Sequence, residues 1–590
     1  MKQFFKMMLA SMAGYFLLSM IIGIVSLSML VSIASFTKKT TVDLDKNSVL
    51  TLKLDQVIPD RTSDNPFAEM NFFSMENKKN EGLDNILKAL HRAADDSKIK
   101  GILLDLSDVP AGIATIEEIR NALLDFKKSG KFIISYSDEY TQKAYYIASV
   151  ADQICVNPQG AVTFKGLAAE LMFFKGTLEK LDVKAQIIRH GKFKSAIEPF
   201  ILDKASDANR EQYQKLLDGV WKQMLDGISK QRNISLAELN RIADSLKIQT
   251  AEDALKYKLV DKLFYRDEVL AEINKKLGSD VSNEISFVSI SKFLNSKEGK
   301  NNMTYGKKKI AIVYATGQIG MGMGDEKNIG SDRLSEAIRI ARGDSSVRAI
   351  VLRINSPGGS ALASEVIWRE VVLAQKVKPV VVSMGDVAAS GGYYIACGAA
   401  KIIAQPNTLT GSIGVFGVVP DLGDFFKNKL GITFDVVQTN KHSDYITTSR
   451  SLLPYETTVL TNQVEHTYNV FVNHVAEGRK MAAANVDSIG QGRVWTGVDA
   501  KRIGLVDQLG GLQDAIDEAA KLAGLTEYKI VNYPKFKSTF SQIMEQLTGE
   551  EQSIGVKAAL GDNYVYYEYL QNLKSQKGVQ TRLPFDVVIY

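Results

Sequence analysis

The sequence predicts an α/β protein in which two tandem repeats of alternating strands and helices follow an N-terminal transmembrane helix. Three observations predict this architecture. A shift of 248 positions aligns residues 135–167 with 383–415 without a gap, and ten of the 33 pairs are identical. Within each copy, short apolar runs alternate with helical stretches, which is typical of βαβ units and a mostly parallel sheet. The N-terminus begins with a long apolar stretch that carries no charge.

The N-terminal segment, residues 1–40, predicts a membrane anchor. Met7–Phe36 holds 30 residues without a charge, and two lysines flank it on each side. Because roughly 20 apolar residues cross a bilayer, we expect a span over about residues 9–36. The stretch exceeds the core of a cleavable signal peptide and no convincing cleavage site follows, so we expect it to be retained. Lysines at both ends give little information about orientation.

Composition excludes several classes of function. With 590 residues, 45% hydrophobic and 24% charged, the chain has room for more than one core. The net charge of +5 is small and no basic block is interleaved with aromatic residues, so no nucleic-acid partner is expected. Cys155 and Cys397 occupy non-equivalent repeat positions and are expected to be buried free thiols. The histidines are scattered, so neither a metal site nor a cofactor is expected.

The repeat divides the chain into domains. We expect a first repeat over 45–294, a polar linker over 295–309 and a second repeat over 310–534. Residues 535–590 form a C-terminal extension without a counterpart in the first repeat, and the sequence assigns it no role.

Several elements can be placed within these domains. A helix is expected after Ser206, a good N-cap, because apolar residues recur at three- and four-residue spacing from Tyr213 to Ile228. This apolar face is expected to pack on its own domain, with a subunit interface as the alternative. The other expected strands are Ser48–Leu54, Lys309–Ala315, Ala349–Ile354 and Pro379–Ser383, and the expected helices are Ala361–Gln375 and Gly392–Ala400.

Two turns rich in small residues occur only in the second copy. Ser390 lies in an Ala-Ala-Ser-Gly-Gly run, and Gly358 and Gly359 end an Asn-Ser-Pro-Gly-Gly run. Either turn alone is better explained as a tight βα connection that needs glycine for positive φ. Together, on adjacent strands and both lost in the first copy, they favour acyl transfer, with a serine nucleophile and N–H groups that face a developing oxyanion.

A serine nucleophile needs a base, and no histidine is well placed. His190 and His442 have no obvious orienting acid nearby in the sequence. The first copy offers Lys194, whose counterpart in the second copy is Ser443, while the counterpart of Ser390 is Gln142. A lysine acts as a base only when burial lowers its pKa. From the residues alone, an exposed surface lysine stays an open alternative.

At these residues the sequence resembles the signal peptide peptidase A family in its long, two-repeat form. The similarity covers about residues 45–530. The family is similar in fold to the Clp protease proteolytic subunit and to crotonases, which are built from βαβ spiral repeats. The densest matches are KFKSAIEPF from Lys192, NSPGGS from Asn355, SMGDVAASGGYY from Ser383, NTLTGSIG from Asn407 and RVWTGVDAKRIGLVD from Arg493.

The resemblance implies a role for each of six residues. Ser412 matches a serine that orients the lysine amine, and its counterpart in the first copy is Phe164, which has no group that can do so. The implied roles are nucleophile for Ser390, general base for Lys194, lysine orientation for Ser412, and an oxyanion hole from the N–H groups of Gly359 and Gly391, with Gly358 as a neighbouring candidate.

The implied protein is a membrane-anchored serine endopeptidase with a Ser/Lys dyad that degrades cleaved signal peptides and similar apolar peptides. The resemblance also implies a tetramer and a single pass through a bacterial inner membrane, with the catalytic domains in the periplasm. Two alternatives remain at this stage. A crotonase-like acyl-CoA enzyme needs a carboxylate opposite the Gly-Gly loop, and an inactive membrane scaffold needs no dyad. The sequence leaves open whether the dyad forms within one chain or between two.

Overall fold

The chain has a long N-terminal helix, and no other described residue covers its segment Gln3–Ile24. The structure is a computed structural model that describes residues 2–36, 43–63, 80–278, 284–297, 307–536 and 579–582. The first helix is Lys2–Phe36. Its segment Gln3–Ile24, with 22 residues and a mean hydropathy of 2.0, is long and apolar enough to span a membrane and is 0% buried. An apolar helix that no protein surface covers is consistent with the predicted anchor.

The first repeat is built on a parallel sheet of six strands. The strands are Ser48–Lys53 (β1), Ile99–Asp105 (β2), Phe132–Tyr140 (β3), Gln153–Val162 (β4), Lys262–Leu263 (β6) and Phe287–Ser289 (β7), while Lys184–His190 (β5) joins another sheet. The strand order is β6-β4-β3-β2-β1-β7. Single helices follow β1, β2, β3, β6 and β7, in the alternating pattern that the sequence predicts. Five more helices lie between β4 and β6. The helices are Leu83–Asp95, Ile113–Lys127, Gln142–Ala148, Lys175–Lys180, Glu198–Ile201, Asp207–Arg232, Leu236–Asp244, Ala251–Lys256, Arg266–Leu277 and Ile290–Asn295.

The second repeat contains the larger sheet, of eight strands. They are Lys309–Thr316 (β8), Val347–Ser356 (β11), Val380–Ala389 (β13), Lys401–Ala404 (β14), Leu409–Gly411 (β15), Val494–Thr496 (β17), Gln508–Leu509 (β18) and Lys529–Tyr533 (β19). Their order is β17-β15-β13-β11-β8-β19, with β14 paired to β13 and β18 to β14. The helices are Ser331–Gly343, Ala361–Gln375, Gly391–Ala396, Gly423–Leu430, Pro454–Arg479, Ala483–Ile489, Gly497–Arg502 and Leu512–Leu522.

A third sheet joins the two repeats. Besides β5, its strands are Ile319–Gly320 (β9), Ile329–Gly330 (β10), Gly358–Ser360 (β12), Val415–Asp421 (β16) and Val579–Arg582 (β20). Their order is β10-β9-β12-β20-β16-β5, so that a strand of the first repeat, β5, lies at one edge. β5 pairs antiparallel with β16 over the full length of both strands.

The repeated architecture predicted from the sequence is confirmed. The helices Leu83–Asp95 and Ile113–Lys127 recur as Ser331–Gly343 and Ala361–Gln375, each displaced by the predicted 248 positions. Each repeat has its own hydrophobic core, formed by the helices packed on its sheet. Cys155 and Cys397 are both buried free thiols, as predicted.

Two predicted boundaries around the Ser390 turn are wrong. The strand predicted to end at Ser383 continues to Ala389, because its last residues pair with β15. The helix predicted to reach Ala400 ends at Ala396. It cannot continue to Ala400, because the Ala400 N–H already donates to the Val380 carbonyl at the start of β13, 3.0 Å away.

The helix Asp207–Arg232 confirms the predicted N-cap and refines the packing prediction. The Ser206 hydroxyl accepts a hydrogen bond from the Asn209 N–H at 3.2 Å. Val220 and Met224 pack in the core of the first repeat, as expected of a helix that packs on its own domain. Leu216, however, packs against Ala389 and other residues of the second repeat, so this face also connects the two repeats.

Of the predicted linker 295–309, residues 298–306 lie outside the described part of the chain.

A buried cluster of charges fixes the repeats against each other. Arg353, on β11, is fully buried and pairs with Asp60 at 2.8 Å and with Glu118 at 2.7 Å. Both carboxylates come from the first repeat. Nearby, the half-buried Asp386 accepts hydrogen bonds from the Thr115 N–H at 2.9 Å and from its hydroxyl at 2.6 Å. Buried charges are tolerated only when they are paired, so these contacts require one relative placement of the two repeats.

Candidate active site

Ser390 lies at the sharp turn between β13 and the following short helix. Its backbone has φ 55° and ψ −114°, a combination that a residue with a Cβ adopts only under strain. The turn is held because the Ser390 N–H donates to the Gly411 carbonyl at 2.8 Å and its own carbonyl accepts from the Tyr394 N–H at 2.8 Å. The side chain is 0% exposed. Strain of this kind is common where a side chain must point in one functional direction.

Lys194 reaches the second repeat because β5 pairs with β16. The lysine follows β5 by four residues, and the Phe193 N–H beside it donates to the Gln491 carbonyl at 2.9 Å. Two glycines of the second repeat leave space for its side chain. A Cβ on Gly492 would lie 2.7 Å from the Lys194 Cβ, and one on Gly414 would lie 3.2 Å from its Cδ. Of the two alternatives left open by the sequence, the exposed lysine is wrong, because Lys194 is 0% exposed.

The amine of Lys194 touches two serine hydroxyls. Its Nζ lies 2.8 Å from Ser390 Oγ and 3.0 Å from Ser412 Oγ, and it also lies 3.3 Å from the Ser412 carbonyl oxygen. Ser412 Oγ in turn lies 3.3 Å from the Gly492 carbonyl oxygen. The structure therefore brings Ser390, Lys194 and Ser412 of one chain into a single hydrogen-bonded group.

Burial determines the charge of this lysine. Loss of water holds the pKa of the Lys194 amine well below its usual range. Within the described part of the chain, Lys194 forms no ion pair that would favour the protonated form. A neutral amine beside a serine hydroxyl can accept that proton, which an ordinary protonated lysine cannot do.

The glycine-rich strand β12 lies beside the Ser390 turn. Gly358 has φ 99° and Gly359 has φ 156°, both in the region that favours glycine. The Gly391 N–H lies next to Gly358, since a Cβ on Gly358 would be 2.7 Å from the Gly391 nitrogen. The Gly358 N–H donates to Ser356 Oγ at 3.2 Å, so this amide already has a partner.

The histidine interpretation needs a correction. The sequence showed no acid near His190 or His442, yet each has one. His190 Nδ1 lies 2.8 Å from Glu465, which is 275 residues away in sequence, and His442 Nδ1 lies 2.9 Å from Glu456. The Glu465 contact depends on the packing of the helix Pro454–Arg479 on β5, which no local pattern reveals.

One feature of this region has no counterpart in the sequence prediction. The strand β20, Val579–Arg582, belongs to the extension 535–590 and lies between β12 and β16. Thr581 Oγ1 donates to the Gly359 carbonyl at 3.2 Å. The sequence does not predict the position of this segment, because the strands with which it pairs lie in the second repeat and not in the extension itself.

Comparison with known proteins identifies both repeats. The sequence profile of peptidase family S49 matches residues 125–280 and 373–526. Protease 4 of Salmonella typhi is 38% identical over 491 residues, which cover 82% of this chain and 78% of that protein. Serine protease SPPA, chloroplastic, of Arabidopsis thaliana is 32% identical over 545 residues, 91% of this chain and 78% of that one.

Among solved structures, a ClpP1 mutant from Listeria monocytogenes aligns with 35% of this chain and 94% of its own. This chain and that structure share 15% sequence identity, and the TM-score is 0.24.

The two matches to the family profile fall one on each repeat. The first covers the turn that holds Gln142, and the second covers the turn that holds Ser390.

Proposed function

The chain belongs to the serine peptidase family S49, and from that premise we propose that it is a membrane-anchored endopeptidase with a Ser390/Lys194 dyad. The observation that carries the proposal is the 2.8 Å contact between Lys194 Nζ and Ser390 Oγ, both fully buried. A buried amine has no structural reason to face a serine at a strained turn unless the pair performs chemistry.

The proposed reaction begins with proton transfer inside the dyad. Neutral Lys194 accepts the proton of Ser390 while Ser390 Oγ attacks the carbonyl carbon of the bound peptide. Lys194 then gives that proton to the leaving amine, and a water molecule hydrolyses the acyl enzyme by the reverse path. The 3.0 Å contact with Ser412 Oγ supports a positioning role for Ser412, because it fixes the amine in the direction of Ser390.

The developing oxyanion is proposed to bind the N–H groups of Gly359 and Gly391. Their support is the position of β12 beside the Ser390 turn. Gly358 is the weaker candidate, because its N–H donates to Ser356 Oγ. Removal of one oxyanion donor typically lowers kcat by about 10²–10³-fold, so this arrangement would account for a large share of the rate enhancement.

The proposed division of the chain follows the repeats. Residues 1–40 anchor the protein, 45–294 supply the base, 295–309 connect the repeats, and 310–534 supply the nucleophile. The proposed location is a bacterial inner membrane, in a single pass with the catalytic repeats on the periplasmic side. An anchor in the same chain keeps the active site near the membrane surface, which supports cleaved signal peptides and other apolar peptides as substrates.

A homotetramer is proposed as the working assembly. Its support is the family resemblance together with an exposed apolar run in the second repeat. Ile432, Phe434 and Val436 are 45–51% exposed, and Val437 is 97% exposed. Apolar residues that are exposed together mark a contact surface more often than a free one. Light scattering of the purified protein in detergent should give the mass of four chains.

The direct test uses a synthetic signal peptide. We expect the purified protein in detergent micelles to cut it at internal bonds, as mass spectrometry of the fragments would show. A polar peptide of equal length should be cut much more slowly, and the Ser390→Ala variant should leave both intact. Release of single residues from the ends, or equal rates with the Ser390→Ala variant, would rule out this endopeptidase.

A further inference from the structure

The turn at Gln491 lies against the loop that carries Lys194. The Gln491 carbonyl accepts from the Phe193 N–H at 2.9 Å. The next carbonyl along the chain, that of Gly492, accepts from Ser412 Oγ at 3.3 Å. Two successive carbonyls of one turn therefore contact the loop of the proposed base and the serine beside its amine. A shift of this turn would move the amine relative to the proposed nucleophile.

The backbone of this turn is in a conformation that needs outside support. Gln491 has φ 52° and Gly492 has φ 77°, so two successive residues lie in the left-handed region. A residue with a Cβ adopts this region at a cost in free energy, and it stays there only when neighbouring contacts fix it. Side chains around the turn must therefore hold it in place.

The hydroxyl of Tyr468 is the contact that fixes the turn. Tyr468 lies on the helix Pro454–Arg479 and is 2% exposed. Its hydroxyl donates to Asp487 Oδ1 at 2.5 Å, and it lies 3.4 Å from both the backbone nitrogen and Nε2 of Gln491. Gln491 Nε2 also donates to Asp487 Oδ1 at 2.6 Å. The three side chains thus form one hydrogen-bonded group that includes the backbone of the turn.

The ring of Tyr468 contacts the other end of the same loop. The His190 ring stacks on it, with ring centroids 3.7 Å apart and an angle of 22° between the planes. His190 is the last residue of β5, and its Nδ1 lies 2.8 Å from Glu465 on the helix of Tyr468. A Cβ on Gly191 would lie 2.5 Å from the Gln491 carbonyl carbon, so the loop lies directly on the turn. Tyr468 therefore contacts the start of the loop through its ring and the end of the loop through the turn.

The first repeat has the same link between helices. The two 26-residue helices that contain Trp221 and Tyr468 begin 247 positions apart, and this offset also places Asn240 at the position of Asp487. Trp221 Nε1 donates to Asn240 Oδ1 at 2.9 Å. Among the described residues, only the link in the second repeat continues through hydrogen bonds to a turn beside Lys194. The link between helices serves the fold in both copies, whereas its continuation serves the lysine.

We propose that Tyr468 and Gln491 are positioning residues that keep the Lys194 amine at the proposed nucleophile. The inference rests on the proposed function, since the two residues have this task only in a working dyad. Tyr468 fixes the turn, and the turn fixes the loop through the Phe193 N–H. The loop in turn sets how far the lysine side chain enters the second repeat. Small displacements matter, because proton transfer needs hydrogen-bond distance between the amine and the hydroxyl, which is 2.8 Å here.

The test measures steady-state hydrolysis of a soluble apolar peptide by full-length variants in detergent micelles. Tyr468→Phe keeps the ring and removes only the hydroxyl, so kcat should fall at least about tenfold while KM stays within about twofold. Gln491→Gly adopts a positive φ without strain but loses the side-chain contacts. This variant should keep a melting temperature within about 3 °C of wild type and yet lose kcat to the same extent.

Trp221→Phe is the matched control, because it removes the corresponding hydrogen bond of the first repeat. Its kcat should stay within about threefold of wild type, since the bond that it removes lies away from the lysine loop.

The pH dependence adds a measurement that a purely structural role would not change. When the loop is loosened, water reaches the Lys194 amine and the pKa of this amine rises toward its usual range. The loss of kcat/KM in Tyr468→Phe should therefore shrink from about tenfold near pH 7 to less than about threefold near pH 9.5.

The groups around the amine are the same in wild type and in Tyr468→Phe. The Ser390 and Ser412 hydroxyls contact it, and the Phe416 ring lies 6.0 Å away. The charged or titratable side chains packed around the loop and the tyrosine are Arg189, Glu198, His190, Glu465 and Asp487. Because the variant changes none of them, a shift in the profile reports the surroundings of the amine.

Each other outcome contradicts the inference in a distinguishable way. Wild-type kcat in Tyr468→Phe, together with an inactive Ser390→Ala, overturns the positioning role alone. Equal losses in Tyr468→Phe and Trp221→Phe, or losses that follow the melting temperature, make the contact a structural one. A raised KM with unchanged kcat places the turn against the peptide instead of the base. A wild-type protein that does not hydrolyse the peptide overturns the proposed function and the inference with it.

Discussion

The turn at Gln142 and the turn at Ser390 occupy the same place in two copies of one fold, but their contents differ. Both follow a strand and begin a short helix, Gln142–Ala148 in one copy and Gly391–Ala396 in the other. In the first copy, the Gln142 side chain bonds to the backbone across the turn. Its Oε1 accepts from the Gly166 N–H at 3.1 Å and its Nε2 donates to the Gly166 carbonyl at 3.0 Å.

The two copies also differ at the position of Ser412. Its counterpart, Phe164, is 3% exposed and packs against Tyr145 and Trp221, with ring centroids 6.1 Å and 5.5 Å apart. In the first copy, the ring of Phe164 and the amide of Gln142 therefore occupy the positions of the two serines that contact the lysine amine in the second copy. The first copy has a stable, closed turn where the second has a strained one.

In the proposed account, the two copies separate stability from chemistry. An active site needs a strained turn, close glycines and a buried amine, each of which destabilises a fold. Here the first copy carries none of these at its own turn and contributes only the lysine, through β5. The second copy has Ser443 at the matching position, and this serine is exposed in the stretch after Leu430.

The largest expected effect is a loss of kcat/KM that occurs at the Ser390 turn and not at the Gln142 turn. Ser390→Ala and Lys194→Ala should each lower kcat/KM for an apolar peptide by at least about 10⁴-fold, because neither half of a dyad works alone. The matched change in the first copy, Gln142→Ala, should leave kcat/KM within about threefold, since Gln142 only closes its own turn. Steady-state kinetics with circular dichroism as a folding control would show this. A loss of activity in Gln142→Ala with an intact fold would contradict the division between the copies.

The two inactive variants also test where the dyad forms. Because Lys194 and Ser390 of one chain lie in contact, co-purified mixtures of Ser390→Ala and Lys194→Ala subunits should stay inactive. Recovery of activity would mean that sites form between chains instead.

A smaller effect is expected at Ser412, the proposed positioning residue. Ser412→Ala removes one hydrogen bond to the Lys194 amine and should lower kcat by about 10–100-fold, with KM nearly unchanged. The reciprocal change, Phe164→Ser, should give no gain of activity and should destabilise the first repeat by about 2–4 kcal/mol, because it empties a packed core position. A Ser412→Ala variant that raises KM but not kcat would show that Ser412 contacts the peptide rather than the base.

The smallest expected effect is a gain in stability. Lys194→Met should abolish activity yet raise the free energy of unfolding by about 1–3 kcal/mol at pH 7, because a buried amine is replaced by an apolar group of similar shape. The folded pKa of Lys194 is lowered, so between that value and about 10.4 the unfolded chain binds one more proton. Wild-type stability therefore rises with pH across this window, and the advantage of methionine should shrink. An advantage that does not change with pH would show that the amine is not desolvated.

Much of the fold could be predicted from the sequence, because it depends on patterns within each copy. The repeat offset and the alternating apolar runs placed helices such as Ala361–Gln375 at their observed bounds. The same comparison singled out Ser390 and Lys194, since each has a different residue at the matching position. Their approach within one chain depends on the β5–β16 pairing, and no local pattern specifies that pairing.

Other features depend on contacts between distant segments. The length of β13 follows from its pairing with β15, and the acid beside His190 comes from a helix far along the chain. The strand β20 is the clearest case. This strand has only four residues, and the extension that contains it has no counterpart in the first repeat. So short a segment does not predict a pairing partner, and its place is determined only by its pairing with β12 and β16.

In the proposed dyad, a neutral lysine from one repeat serves as the base for a serine of the other. The pH dependence of kcat/KM for a soluble apolar peptide tests it most directly, because this constant reports the ionisation of the free enzyme. We predict that activity rises with pH through one ionisation well below the usual pKa of lysine, then stays level to pH 10. A profile that rises only near the pKa of free lysine, or that shows no ionisation at any pH at which the enzyme is folded, would contradict it.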